Sequence, residues 1–322
     1  MTKAAELAKM GEVLTNSQIG GRRNILINGD FKIWQRATSS TAANYSGPDR
    51  WYYGNAGTYS RSTDVPSGEG FQYSNSVKVT AATSYGVTAQ RIEAVNCKHL
   101  VGKTVTASFW LKTISGSTGM YCVLYRANTE DGHSSGVTAI ETKAFTGVTG
   151  TWTYYTLTWS SLPSETANGL QLYFYSADAS TDPEYRITGI QLEVGSQATP
   201  FEHRSYGEEL ALCQRYYSKY TDSGSYMAFP FCGFAGTSSL GEMVGPLPAT
   251  MRVSPTASVN GGSNFRILMQ ASDQNTTAVS IDFTSLNACR LSITASGMTA
   301  GQAIGLINKA NTFAEITFDS EL

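Results

Sequence analysis

The segment Thr104–Lys112 reads TVTASFWLK and alternates without a break. Val105, Ala107, Phe109 and Leu111 face one way, and Thr106, Ser108, Trp110 and Lys112 face the other. A period of two marks a strand with one buried face. Similar segments recur at Ser76–Thr80 (SVKVT), Thr88–Ile92 (TAQRI), Met120–Arg126 (MYCVLYR), Thr151–Trp159 (TWTYYTLTW), Leu170–Tyr175 (LQLYFY) and Tyr185–Glu193 (YRITGIQLE). Asn24–Trp34 (NILINGDFKIW, around the turn pair Asn28-Gly29) and Trp51–Tyr53 (WYY) also read as β. Gly, Ser, Asn and Pro clusters separate these segments. Many short strands joined by turn-rich loops predict an all-β antiparallel sandwich. No strand–helix alternation occurs, which argues against a parallel α/β fold.

A length of 322 residues is too great for one small core and implies two domains. Charged residues make up only 15%, against roughly 25% in an ordinary soluble protein. The chain has 31 Gly, 18 Tyr and 9 Pro, a balance suited to short strands and tight turns. At 41% hydrophobic residues it can form packed cores, so disorder is excluded.

Two segments read as helices. Residues 3–14 place Ala4, Leu7, Ala8, Met10 and Leu14 on one stripe, and Gly20-Gly21 ends the pattern. A helix this short is marginal alone, so it needs a symmetry mate or a socket on a larger assembly. The alternative is a frayed terminus. Residues 205–217 (SYGEELALCQRYY) form the second, with Glu208-Glu209 at its positive N-terminal end. Beyond it, residues 222–322 are again β, with strands expected at Phe229–Phe234, Leu247–Pro255, Ala278–Phe283, Ala288–Thr294 and Glu315–Phe318. Ala300–Asn308 stays open between a strand pair and a loop. The expected organisation is an N-terminal helical segment (1–20), a first β-domain (21–204), a linker helix (205–221) and a smaller C-terminal β-domain (222–322).

Charge and composition exclude several function classes. The 23 basic and 25 acidic residues are spread along the chain with a net charge of −2, so no basic footprint for nucleic acid exists. No run of 18 apolar residues spans a membrane. The N-terminus lacks the apolar stretch of a secretory signal, so the protein is expected to be made in a cytoplasm and to stay there or leave by lysis. The five cysteines are odd in number and widely spaced, so they read as buried, reduced side chains. The three histidines are isolated from one another and read as no metal site. There is no GxSxG, GxxxxGKS/T or HExxH, and no paired carboxylates can be assigned from sequence. No catalytic residue is therefore expected.

Two binding sets remain. If Leu170, Leu172 and Phe174 point into the core, Gln171, Tyr173 and Tyr175 point out. If Cys122 and Leu124 face in, Tyr121 and Tyr125 face out; in TASFWLK the outward set includes Trp110. Exposed aromatics suit the flat C–H faces of sugar rings, with Gln and Ser bonding hydroxyls. The alternative is that they pack on the second domain or a neighbouring subunit. Hard cations need several oxygen ligands, and Asn28, Asp30 and Glu193, on the first and last strands, are the candidate calcium set. The alternative is a plain turn and a surface charge.

Two stretches carry a resemblance. Residues 21–36 (GRRNILINGDFKIWQR), followed by Gly47–Trp51 (GPDRW), resemble the opening of the β-domain in a family of bacteriophage tail-fibre and related virion proteins. Ile190–Tyr217 (IQLEVGSQATPFEHRSYGEELALCQRYY) is similar to the segment that closes that domain and passes into a helix. Leu247–Pro255 and Ile316–Leu322 resemble the companion domain more loosely. The resemblance implies that the first domain is a jelly-roll sandwich of the carbohydrate-binding-module type. It also implies a virion location and often a trimer. Residues 1–20 are expected to dock on other virion proteins, and the outward aromatics to take host-surface glycan. Against this fibre or spike reading stand an architectural collar, adaptor or capsid-decoration protein and a polysaccharide depolymerase. Within the bracketing motifs, Arg22, Arg23 and Arg36 are expected to pair with Glu193 and Glu202, and Phe201 to anchor the linker helix.

Overall fold

The computed structural model describes residues 23–322, apart from 55–56, 80–84, 179, 181 and 271–272. The helix expected at 3–14 and Arg22 lie outside the described residues. The chain divides into two units, residues 1–209 with Leu322 and residues 210–321.

Among the described residues the first unit has ten strands: β1 (Ser39–Ser40), β2 (Thr58–Ser62), β3 (Ser74–Lys78), β4 (Thr88–Ile92), β5 (Val105–Ser115), β6 (Gly119–Ala127), β7 (Val137–Thr146), β8 (Thr153–Trp159), β9 (Leu170–Ser176) and β10 (Glu184–Val194). A helical turn, α1 (Ala94–Cys97), follows β4. Two antiparallel sheets result, one in the order β1-β2-β3-β10-β5-β8 and one in the order β4-β9-β6-β7. Their inner faces form one core. Phe109 and Leu111 come from the first sheet, and Cys122, Leu124, Leu172 and Phe174 from the second. The rings of Phe109 and Phe174 meet across it at 4.9 Å. Each such side chain contributes about 1.5–3 kcal/mol by leaving water. This is the antiparallel jelly-roll sandwich that the strand pattern and the resemblance predict.

Asn24–Trp34 departs from expectation, because it forms no strand. It nevertheless completes the edge of β10 beyond Ile187, where β3 pairing ends. Ile25 N–H donates to Leu192 O at 2.9 Å, and Ile190 N–H donates to Gly29 O at 2.9 Å. Between them, Asn24 Oδ1 accepts from Leu192 N–H at 3.0 Å and Asn24 Nδ2 donates to Ile190 O at 3.1 Å. One carboxamide thus replaces two ladder bonds, each worth about 1 kcal/mol net. A Cβ on Gly29 would lie 2.1 Å from Ile190 O, so only glycine permits this approach.

The closing motif locks that segment in place. Glu202 Oε2 accepts the main-chain N–H groups of Arg23 (2.6 Å) and Asn24 (2.8 Å). Arg204, its side chain 4% exposed, reaches Leu26 O at 3.0 Å, Glu202 at 3.2 Å and Glu209 at 3.3 Å, and also bonds Asn24 O. Glu209 accepts from Asn28 N–H at 2.6 Å. The expected end-closing ion pairs are therefore reassigned. Glu202 pairs with Arg204, Arg36 lies 3.6 Å from Asp49, and Glu193 bonds Thr199. Burial pushes Glu202 up, but Asn24 N–H, the Arg204 charge and Arg23 N–H outweigh it and hold the carboxyl below its usual value. Burial raises Glu209 despite its partners.

Helix α2 (Tyr206–Gln214) is shorter than expected, since Tyr217 already begins a strand. The division between the units falls within it, after Glu209. The second unit contains a three-stranded sheet, β11 (Tyr217–Asp222), β19 (Ala314–Asp319) and β14 (Thr256–Val259), in the order β11-β19-β14. The rest is a closed barrel of β12 (Ala228–Ala235), β13 (Leu240–Pro246), β17 (Ala288–Ala295), β16 (Asp273–Thr284), β15 (Phe265–Leu268) and β18 (Ala303–Asn308). Phe231, Met243, Phe265, Leu291, Ile293 and Leu306 fill its interior. Leu247–Pro255, expected as a strand, is a connection, and the strand lies just before it as β13. Four of the cysteines are buried and free, whereas Cys232, expected inside, is exposed on β12.

Replacing Arg204 by Met should cost about 3–5 kcal/mol in urea denaturation, because it strands buried Glu209. Arg204→Lys should recover only part, for want of the fork geometry. A second prediction concerns His133, which is 5% exposed. Burial first, then the Arg91 charge, lowers its pKa to about 4, against weaker upward pulls from the Ile92 backbone and Asp131. Its unfolded value is about 6.5, so between these values the unfolded chain binds the extra proton. Stability should be full above pH 6.5 and fall toward pH 4, by on the order of 2–3 kcal/mol from this group. Urea titrations at several pH values should show a shallower slope for His133→Leu.

Candidate functional site

The outer face of the four-stranded sheet follows from strand alternation. Inward residues of β6 and β9 build the core, so Tyr121, Val123 and Tyr125 on β6 and Gln171, Tyr173 and Tyr175 on β9 point away from it. The register sets Tyr121 opposite Tyr175, Val123 opposite Tyr173 and Tyr125 opposite Gln171. The rings touch in sequence. Tyr121–Tyr175 centroids lie 5.0 Å apart, Tyr173–Tyr175 5.7 Å and Tyr125–Tyr173 5.6 Å. Edge-to-face and tilted contacts at this range hold the rings in place.

The floor beneath these half-buried tyrosines is closed. Val123 is 1% exposed, Ala89 on β4 0% and Gln171 4%. Gln171 therefore shares the predicted face but offers little surface to a ligand. Tyr52 extends the face beyond β4 through a bridge to Ala89, and Arg91 lays its guanidinium 4.4 Å from the Tyr52 ring. Tyr85 adds a ring 5.9 Å from Tyr175. On the opposite side, β7 presents only Ala139, Thr142 and Ala144 in register with β6. The face is thus walled by aromatics at one side and open over small residues at the other. None of the outward positions on β4, β6 and β9 is a carboxylate.

Three of the phenols are held neutral. Burial, then neighbouring Tyr125, Tyr52 and Tyr175, raises Tyr173 well above its usual value. Burial also raises Tyr125 and Tyr175.

The structure separates Trp110 from this group. Trp110 lies on β5, beside Tyr154 of β8, on the outer face of the six-stranded sheet. Since the two sheets pack through their inner faces, Trp110 and the tyrosines look out on opposite sides of the sandwich. Tyr52, Tyr85 and Arg91 are members that sequence reading missed. Tyr52 reaches the face through a single bridge rather than a strand, which alternation within WYY does not reveal.

The candidate calcium set does not come together as a metal site. Asn28 Oδ1 accepts from Ile33 N–H at 3.0 Å, and its Nδ2 donates to Ile33 O and Asp49 O. Both oxygens of Glu193 are held by Thr199, with Gln191 also on Oε1. Asp30 pairs with Lys32 at 3.0 Å. Among the described residues, no group of three or more His, Cys, Asp or Glu side chains is placed to hold a metal ion. Among them too, no helix is long and apolar enough to cross a membrane.

Comparison with known proteins adds partial structural likenesses. No family profile matches the chain, and no curated protein is similar to it in sequence. The enzymatically active domain of tailspike protein 4 from bacteriophage CBA120 aligns over 53% of this chain, with a TM-score of 0.37 and 17% identity. This chain spans only 21% of that structure. A family 4 carbohydrate-binding module aligns over 52% of this chain and 98% of its own length (TM-score 0.36, 15% identity). A family 22 xylan-binding domain from Paenibacillus barcinonensis aligns over 45% and 92% (TM-score 0.34, 14% identity).

The raised phenols give a direct expectation. Ionisation of Tyr173 is suppressed in the folded state, so its stabilising effect is complete below pH 10 and is lost as pH rises further. A spectrophotometric alkaline titration should show late-ionising tyrosines, and Tyr173→Phe should remove one of them.

Proposed function

We propose that this protein is a non-enzymatic bacteriophage virion component, a tail-fibre or spike subunit that attaches to the host surface by binding glycan on the tyrosine face. The observation that carries this reading is the platform of Tyr121, Tyr125, Tyr173 and Tyr175, preset by ring-to-ring contacts above a closed floor. Preset aromatic rings lose little conformational freedom on binding. Their π-faces suit sugar C–H groups, and their hydroxyls can exchange hydrogen bonds with sugar hydroxyls. With no carboxylate among the outward strand positions, the face lacks the paired acids of glycoside hydrolysis and suits a neutral sugar chain. The virion setting comes from the bracketing motifs at 21–51 and 190–217. In that setting the chain forms a homotrimer and docks on other virion proteins through residues 1–20.

An architectural collar, adaptor or capsid-decoration role is the second reading, favoured by the same rings if they are covered by a neighbour. A host-glycan screen with the full chain separates the two. Retention on host-envelope polysaccharide should weaken at least tenfold, about 1.4 kcal/mol, in Tyr121→Ala and Tyr175→Ala. Unchanged retention in both variants, or none by the parent chain, would transfer the platform to the architectural role. Light scattering on the full chain should return a trimer mass.

A further inference from the structure

The outer face of the six-stranded sheet carries its own aromatic group. Trp110 on β5 and Tyr154 on β8 are cross-strand neighbours with centroids 5.3 Å apart, and Tyr154 is 41% exposed. Trp152 stands next to them. Its Nε1 donates to Asp64 Oδ1 at 3.1 Å, and Lys112 Nζ sits 5.2 Å from its ring centroid. Asp64 is held in turn by Lys112 and Arg186. Burial pushes the Asp64 carboxyl up, but Lys112, Trp152 and Arg186 overcome that and hold it ionised below its ordinary value. The indole is therefore oriented by hydrogen bond and cation before any ligand arrives.

The register places Thr188 of β10 beside Trp110 and pairs Ser108 with Thr156 along β5 and β8. Thr156 is exposed, whereas Ser108 and Thr188 are buried, with Thr188 donating to Tyr73 O. The local charges offset one another: Lys112 and Arg186 stand against Asp64 and Glu69, the latter acting on Tyr154. Glu193 also acts on Tyr154, but its oxygens are bonded to Thr199 and Gln191. No cationic excess is left to draw a polyanion. Half-exposed aromatic rings beside the exposed Thr156 hydroxyl, on a locally charge-balanced face, match a neutral sugar rather than an acidic polymer or a greasy protein surface.

We propose that this face is a second, independent glycan-binding surface, which takes a neutral sugar on Trp110 and Tyr154. The first unit then binds carbohydrate from both sides of one sandwich. The inference rests on this face alone and stands whether or not the tyrosine face binds.

The test is tryptophan emission of the full chain, titrated with neutral gluco-, manno-, galacto- and xylo-oligosaccharides. Of the five tryptophans, Trp51 and Trp159 are fully buried and Trp34 packs on the core with its Nε1 bonded to Phe31 O, so Trp110 and Trp152 report on this surface, and a Trp34→Phe control should leave the shift in place. At least one sugar should give a saturable emission shift whose affinity drops at least tenfold in Tyr154→Ser and is unchanged in Tyr175→Ala. Trp110→Phe keeps an aromatic ring at the site and should weaken binding less than Trp110→Ala in calorimetry. Absence of a shift across the panel overturns the proposal. So does a shift that survives Tyr154→Ser but is lost in Tyr175→Ala, which assigns all binding to the tyrosine face.

Discussion

The sandwich depends on a small buried polar clasp. The last strand, β10, lies at the centre of the six-stranded sheet, yet half of one edge has no strand partner. Asn24, Gly29 and Ile25 fill that edge with a segment that is not itself a strand. Arg204, Glu202 and Glu209 then fix the segment from the far side. Each group alone is a buried charge or an unpaired amide, which the interior penalises. Together they satisfy one another, so both ends of the domain become one structural unit. The two aromatic faces are positioned by sheets that this closure keeps in register.

How much of this was legible in the sequence varied with the kind of signal. Period-two alternation located β5, β6, β8, β9 and β10, because a strand with one buried face leaves that trace in its residues. It also placed the four tyrosines on one face, since β6 and β9 are neighbours and their inward residues are unmistakably apolar. Alternation says nothing about which sheet a strand joins. Alternation alone therefore groups Trp110 with rings that look out on the other side of the sandwich. Asn24–Trp34 read as β from its apolar content, but its pairing is made by a side-chain amide and a glycine, which no periodicity records. The motifs GRRNILINGDF and ATPFEHR appeared as resemblance first. Their physical content, a reciprocal set of side-chain to main-chain bonds, emerged only from the fold. Asn28 and Glu193 carry the right atoms for a cation and are occupied by nearer partners.

The second unit was harder to read for a related reason. Its strands carry apolar side chains on the outside as well, with Phe234, Leu240, Val244 and Leu268 exposed. Apolar residues on both faces blur the alternation, so Leu247–Pro255 reads as the strand that Leu240–Pro246 forms.

The closure of that barrel has a consequence for crowded assembly. An open sheet ends in a row of unpaired N–H and C=O groups, which can zip onto the same row of another molecule. Six strands that close on themselves pair most of that row within the barrel, although β15 covers β16 only at Asp273–Asn275. Copies held side by side at high local density are thereby spared edge-to-edge polymerisation through this part of the chain. Association there is left to side chains, where shape and chemistry can select the neighbour.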